Sequence, residues 1–235
     1  AAGCLFIKYS VVFMDFPQSP RLFCAVSAAG AVTEYSPFVL AFDAKEPNNS
    51  NSDRKNYGNN RYSYANVLQW LNSNATAGNW YSAKHSADQS PNSTSVVTYN
   101  PYADLAGFLA MLDDDFVAAL LDTTVTVAKN TVTDGGSYET VTAKMHLPST
   151  TEVGLANENG IAEGSKLALF SDNTSRLAYP TAECVSNSDY TSSSFNTSSS
   201  WYWWLRTPYS GYSYYVRNVY TSGALNNNYA YNGHG

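Results

Sequence analysis

Charge is the scarcest property of this sequence. Only 14% of its 235 residues are Asp, Glu, Lys or Arg, against roughly 25% in ordinary soluble domains. Lysine disappears after Lys166 and acidic residues after Asp189. Solubility must therefore rest on neutral polar groups, chiefly Asn, Ser, Thr and Tyr. The net charge of −6 and pI near 4.9 argue against a nucleic-acid face, which needs clustered Lys and Arg. No apolar stretch approaches the roughly 18 residues of a membrane span, so membrane insertion is not expected. Leu5 to Met14 is short and interrupted by Lys8, and a buried strand is favoured there over the remnant of a signal segment.

Groups that do chemistry are equally sparse. The three cysteines, Cys4, Cys24 and Cys184, have no metal-type spacing, and three buried thiols are favoured over a Cys4–Cys24 disulfide. None of His85, His146 and His234 has a ligand partner four residues on. His146, in the apolar run MHLP, reads as packed or hydrogen bonded, and His85 as solvated. There is no G-x-S-x-G elbow. Asp113–Asp115 reads as a solvated helix face rather than a cation site. No catalytic residue, metal site or cofactor is expected.

Aromatic residues are plentiful. They make up 14% of the chain, with 19 Tyr and 5 Trp. Residues 1–42 carry short apolar runs between Pro and Gly, the pattern of a strand meander. Glu46 to Asn60 reads as a polar loop. A helix is expected from an N-cap at Ser63, with Val67, Leu68 and Leu71 on one face. The clearest helical period spans Tyr102 to Leu121. Thr123–Val127 and Val141–Leu147 read as strands about the Gly135–Gly136 turn, Thr150–Asn157 as a short helix, and the tail beyond Trp203 as strands. The sum is an α+β fold: a mixed sheet, two main helices and both termini in one sheet.

The segments FDAKEPNN, NRYSYANVLQWLN, HLPSTTEVG and above all WWLRTP, followed by a Gly/Tyr/Asn-rich stretch, resemble a family of uncharacterised bacterial and phage proteins with a WWLR-S/T-P signature. That resemblance implies a C-type lectin-like fold of the formylglycine-generating-enzyme-like branch. It covers residues 41–235, with a variable ligand-binding tail over 209–234. Residues 1–40 are N-terminal strands of uncertain match. In the family a GVRPAL-type strand follows the variable stretch; this chain stops at Gly235, so either it is truncated or the remainder is not included. Such an enzyme needs a redox-active cysteine pair in its C-terminal half, where only Cys184 lies, so the likeness is one of fold. Glu46-Pro47-Asn48 copies the EPN of calcium-dependent lectins but precedes the first helix, and a turn in a polar loop is the favoured reading.

Some members of that family are targets of diversity-generating retroelements, in which a reverse transcriptase rewrites adenines and so converts Asn codons to Tyr, Ser, Asp, His or Gly. Tyr209, Ser210, Tyr212, Ser213, Tyr214, Asn218, Tyr220, Asn226, Asn227, Asn228, Tyr231, Asn232 and His234 are residue types reachable in this way. They are also types that recognition loops favour. They are the expected ligand-binding set, with Gly211, Val216, Arg217, Val219, Gly223, Ala224 and Leu225 as scaffold. Trp201, Trp203 and Trp204 are expected in the core, and Arg206 against a carboxylate or carbonyls inside it. The expected role is non-enzymatic binding to a surface protein or glycan of a host or neighbouring cell, from a virion or the exterior of a cell. The alternative is a structural virion protein whose tail contacts other virion subunits; a homo-oligomer fits either role.

Overall fold

The computed structural model describes residues 38–96 and 100–233. Cys4, Cys24, most of the expected N-terminal meander and His234 lie outside them. The described chain is mixed α and β, with short helices and two small antiparallel sheets. Two main helices and a mixed sheet were expected; none of the four α-helices described exceeds six residues, and each described strand pairing is antiparallel.

Helix α1 (Ser52–Tyr57) stands where a polar loop was expected. The Asn51 side chain caps it, its Oδ1 accepting from the N–H groups of Asp53 and Arg54 at 3.0 Å each. Helix α2 (Asn66–Leu71) begins after the expected Ser63 cap, because Asp43 caps it from a distant segment: Asp43 Oδ1 accepts from Asn66 N at 3.0 Å. The period over 102–121 does not produce one helix. Gly107 N donates to Ala75 O and Leu109 N to Ser73 O, so donors that a helix would use turn to the preceding loop. A Cβ on Gly107 would meet Ser73 O at 2.4 Å. What forms instead is a 3₁₀ turn (Phe108–Met111) and helix α3 (Asp114–Ala119), capped by Asp113. The expected helix over 150–157 is a pair of turns, closed with Gly154 at φ 70°.

Strands β1 (Thr123–Ala128) and β2 (Tyr138–Ala143) form a hairpin. Helix α4 (Ala182–Ser186) precedes the tail sheet, a meander of β3 (Trp203–Pro208), β4 (Tyr215–Val219) and β5 (Leu225–Tyr229). Alternation along β3 sends adjacent indoles to opposite faces. Trp203 packs with Val153, Phe170, Leu205 and Val219, and Trp204 with Phe42, Tyr62, Val67 and Val216. Each indole N–H is satisfied by a carbonyl: Trp203 by Arg176 O at 3.0 Å and Trp204 by Leu40 O at 2.9 Å. Trp201 joins Cys184, Phe195 and Val39. Cys184 is a buried free thiol, pushed up to about 12 by burial.

The β3–β4 register shifts between Trp204 and Pro208, and the irregularity turns β3 away from β4. It frees Arg206 N to bond Pro148 O at 2.8 Å and sends the Arg206 side chain inward, 1% exposed. Its guanidinium donates to Thr126 O (3.4 Å), Leu147 O (2.8 Å), Glu163 O (2.8 Å) and both oxygens of Glu152 (2.7 and 2.9 Å). These contacts engage its full fork of donors and join β1, the 147–152 turn, the 163 loop and β3. Glu163, itself fully buried, closes the knot by accepting from Ala128 N and Thr207 Oγ1. A lysine at 206 keeps the charge but cannot reproduce the fork. Arg206→Lys should therefore cost about 3–5 kcal/mol, the scale of a broken buried pair, read as a fall in thermal midpoint of roughly 10 °C. A midpoint within a degree or two of the parent would refute this role.

Candidate functional site

The tail meander and helix α1 bring seven tyrosines onto one face. Cross-strand pairing sets Tyr215 beside Tyr229 and Arg217 beside Asn227. The Tyr215 and Tyr229 rings lie 4.8 Å apart. Tyr214 stacks on Tyr229 at 5.6 Å and 11°, and Tyr57 of α1 reaches both, at 5.0 and 4.9 Å. Tyr212 and Tyr209 extend the cluster at one side (5.2 Å apart) and Tyr231 at the other, 5.7 Å from Tyr229. Arg217 lies over the Tyr209 ring at 4.0 Å and Lys45 over Tyr231 at 5.2 Å. A hydrogen bond with Tyr229, followed by burial, pushes the Tyr215 phenol upward, and burial pushes that of Tyr214 in the same direction. These phenols are neutral donors at physiological pH. Arg217 is balanced by Glu158 at 2.8 Å.

The loop joining β3 to β4 is held by its backbone. Asn60 N donates to Ser213 O at 3.1 Å. The Asn60 amide donates to Tyr212 O (2.7 Å) and Tyr215 O (2.9 Å), with a longer approach to Tyr209 O (3.4 Å). Asn130 orients that amide by donating to its Oδ1 at 2.9 Å, and Asp134 ties Asn130 to Arg54, both at 2.6 Å. Arg54 Nε donates to Ser213 O at 3.3 Å, and Thr131 donates to Ser210 O from both its N and its Oγ1 at 2.9 Å. Asn60, Arg54 and Asn130 are buried, so these bonds are shielded from water. The side chains of Tyr209, Tyr212 and Tyr214 carry none of these contacts.

The structure divides the thirteen expected ligand residues. Tyr209, Ser210, Tyr212, Tyr214, Tyr231 and Asn232 lie around the tyrosine face, half-buried or exposed. Asn227 projects from the same face, 3.3 Å from Arg217. Tyr220, 40% exposed, lies apart from that cluster and packs on Tyr202 at 5.0 Å. Two residues do not belong to a displayed surface. Ser213 is 1% exposed, its hydroxyl donating to Asn51 Oδ1 at 3.1 Å, and Asn218 is fully buried. Alternation explains Asn218: it shares the inner face of β4 with Val216, opposite Trp204. Asn226 and Asn228 pair with these inward residues and are half-buried. Tyr57, Tyr215, Tyr229 and Arg217 were not expected at the site. Tyr57 gives no signal in a polar stretch far from the tail, while the other three follow from the alternation of β4 and β5.

A family model for a domain of unknown function (DUF6273) matches residues 32–235. The chain belongs to the DUF6273 family. No curated protein and no solved structure matches it.

In this DUF6273 chain a further cluster of titratable groups surrounds the EPN segment. Glu46 is not a loose turn residue: it is 1% exposed, accepts from Asn59 Nδ2 at 3.1 Å and from Asn49, and pairs with His85 Nε2 at 2.7 Å. His85 is correspondingly half-buried rather than solvated. Asp43 and Asp88 are buried beside it, and burial, with Glu46 and Asp88 adding repulsion, pushes Asp43 well above the ordinary carboxylate range. Each oxygen of the three carboxylates is committed to a protein donor. The cluster therefore ties loops together. Among the described residues no group of three or more His, Cys, Asp or Glu is placed to hold a metal ion, and no helix is long and apolar enough to cross a membrane.

The Asn60 clamp makes a direct prediction. Asn60→Ala strands the carbonyl of Tyr212, leaves that of Tyr215 with Tyr209 N alone, and costs about 2 kcal/mol locally. Chymotrypsin should then cut the 209–215 loop at least about ten-fold faster at a temperature where the rest of the fold persists. An unchanged cutting rate would remove Asn60 from this role.

Proposed function

We propose that this chain is a non-enzymatic binding protein with a C-type lectin-like fold. The tyrosine face built on helix α1 and the tail meander is its ligand surface. The observation that carries the reading is the division of labour in the 209–215 loop: buried side chains from outside the tail hold its backbone, leaving the side chains of Tyr209, Tyr212 and Tyr214 to face a partner. Tyr offers large amphipathic area at little rotamer cost, and neighbouring Asn and Ser supply adaptable hydrogen bonds. A surface whose conformation does not depend on its own side chains tolerates their replacement. That property suits diversification of the tail by a retroelement that rewrites Asn codons.

The partner is a surface protein or glycan of a host or neighbouring cell, and the protein acts on the outside of a virion or bacterial cell. The charges within the face are few, and Arg217 is matched by Glu158, so binding depends weakly on salt. The test is binding to candidate host cells by the parent chain and by a Tyr209→Ala/Tyr212→Ala/Tyr214→Ala variant. The variant is expected to fold with unchanged circular dichroism and to bind at least about 30-fold more weakly, as for loss of hot-spot aromatics. Equal binding overturns the reading. Loss of self-association in place of cell binding assigns the face to virion assembly.

A further inference from the structure

Beside the display loop stands an exposed apolar residue from outside the tail. Val132, at the tip of the β1–β2 hairpin, is 60% exposed. A single exposed apolar side chain is ordinary; what distinguishes Val132 is how it is held. Thr131, before it, donates from both its N and its Oγ1 to Ser210 O at 2.9 Å, which fastens the tip to the display loop one residue after Tyr209. Thr133, after it, accepts from the Asn51 amide at 3.3 Å, which fastens the tip to the cap of α1. Beneath them the buried Asn130 closes the turn, its Oδ1 accepting from Thr133 N at 2.8 Å and Asp134 N at 3.2 Å. The same Asn130 side chain orients Asn60 under the 209–215 loop. Tip and loop therefore stand on one buried base. Both threonine hydroxyls are engaged by the protein, and the tip offers the isopropyl group of Val132 outward.

We propose, resting on the display reading of the tyrosine face, that Val132 is a fixed apolar contact of the ligand surface and that the partner it fits is a protein with an uncharged, apolar recess. A β-branched side chain has little rotamer freedom to lose on binding. Its neighbours on both sides are tied down before a partner arrives, so the contact is preorganised. An isopropyl group has no flat ring on which a pyranose can stack and no atom to bond a sugar hydroxyl. A hydroxyl pressed against it loses its water without replacement, whereas the apolar recess of a folded protein gains by covering it. The arginines of this region are matched within the chain, Arg54 by Asp134 at 2.6 Å and Arg217 by Glu158 at 2.8 Å, so the recess needs no counter-charge. Val132 lies outside residues 209–234, and the contact stays the same whichever side chains the tail displays.

The probe is the set of intact cells on which the Tyr209→Ala/Tyr212→Ala/Tyr214→Ala variant is scored. Val132→Asp should weaken binding at least about ten-fold, because it drives a carboxylate into an apolar contact. Val132→Thr keeps the shape and adds one hydroxyl, and should weaken binding about three-fold or more. Leu121→Asp, at the other end of β1 and 70% exposed, should bind as the parent does. All three variants should keep the parent's thermal midpoint, because the replaced side chains are exposed. Trypsin treatment of the cells should abolish binding, and periodate oxidation of their glycans should leave it intact. Binding by Val132→Thr as tight as the parent's, or loss of binding after periodate alone, overturns the assignment to a protein. Parent-like binding by Val132→Asp, with binding lost in the tyrosine variant, overturns the inference and leaves the display reading standing. Parent-like binding by the tyrosine variant, or a parent that binds none of the cells, overturns both.

Discussion

The buried Arg206 guanidinium is the constraint on which the rest depends. It sits where β3 loses register with β4, and its donors gather the carbonyls of three segments and the carboxylate of Glu152. A buried cation is costly unless every donor is met. Once met, it specifies one arrangement of those segments. The register shift also delivers Pro208 and the 209–215 loop to the side of the molecule where Asn60, Asn130 and Arg54 wait for its backbone. The two tryptophans that precede Arg206, Trp203 and Trp204, anchor the same strand in two different apolar clusters, so β3 is fixed on both faces.

That arrangement accounts for an otherwise odd composition. A tail almost without charge has no ion pair within itself: its two arginines pair with Glu152 and Glu158, both outside it. Its order is imposed from outside, by buried amides and a guanidinium contributed by residues 54, 60 and 130. The tyrosines then pack on one another edge to face or offset, which gives a stiff surface at low entropic cost.

Much of the tail could be read in the sequence, and little of what holds it. The WWLRTP block could be read as core tryptophans with Arg206 against a carboxylate or carbonyls, although alternation along a strand requires only one of Trp203 and Trp204 to be buried. The β1–β2 hairpin followed from apolar runs flanking Gly135–Gly136. The helix over 102–121 failed because its apolar period is also satisfied by a 3₁₀ turn and a short helix, and Gly107 surrendered the backbone to Ser73 and Ala75. Ser63 lost the cap of α2 to Asp43, a contact 23 residues distant that no local pattern announces. At the site, the type-by-type choice of Tyr, Asn and Ser swept in Ser213 and Asn218, which the fold buries. It also passed over Tyr215 and Tyr229, whose exposure follows from parity along β4 and β5. Tyr57 and Asn60 carry no local mark of their roles, since what matters is which distant carbonyl or ring they meet.

The central claim is that the displayed loop keeps its shape whatever side chains it carries. Hydrogen exchange over residues 209–216, compared between the parent and a chain with Tyr209, Tyr212 and Tyr214 all replaced by Ser, tests it most directly. The account predicts amide protection in that segment unchanged to within about three-fold, because Asn60, Arg54 and Thr131 fix the loop through its carbonyls and so keep its own backbone bond, Tyr209 N to Tyr215 O, in place. Exchange in the variant at the rate of an unstructured peptide would contradict it, and would mean that the tyrosines hold the loop rather than the loop presenting the tyrosines.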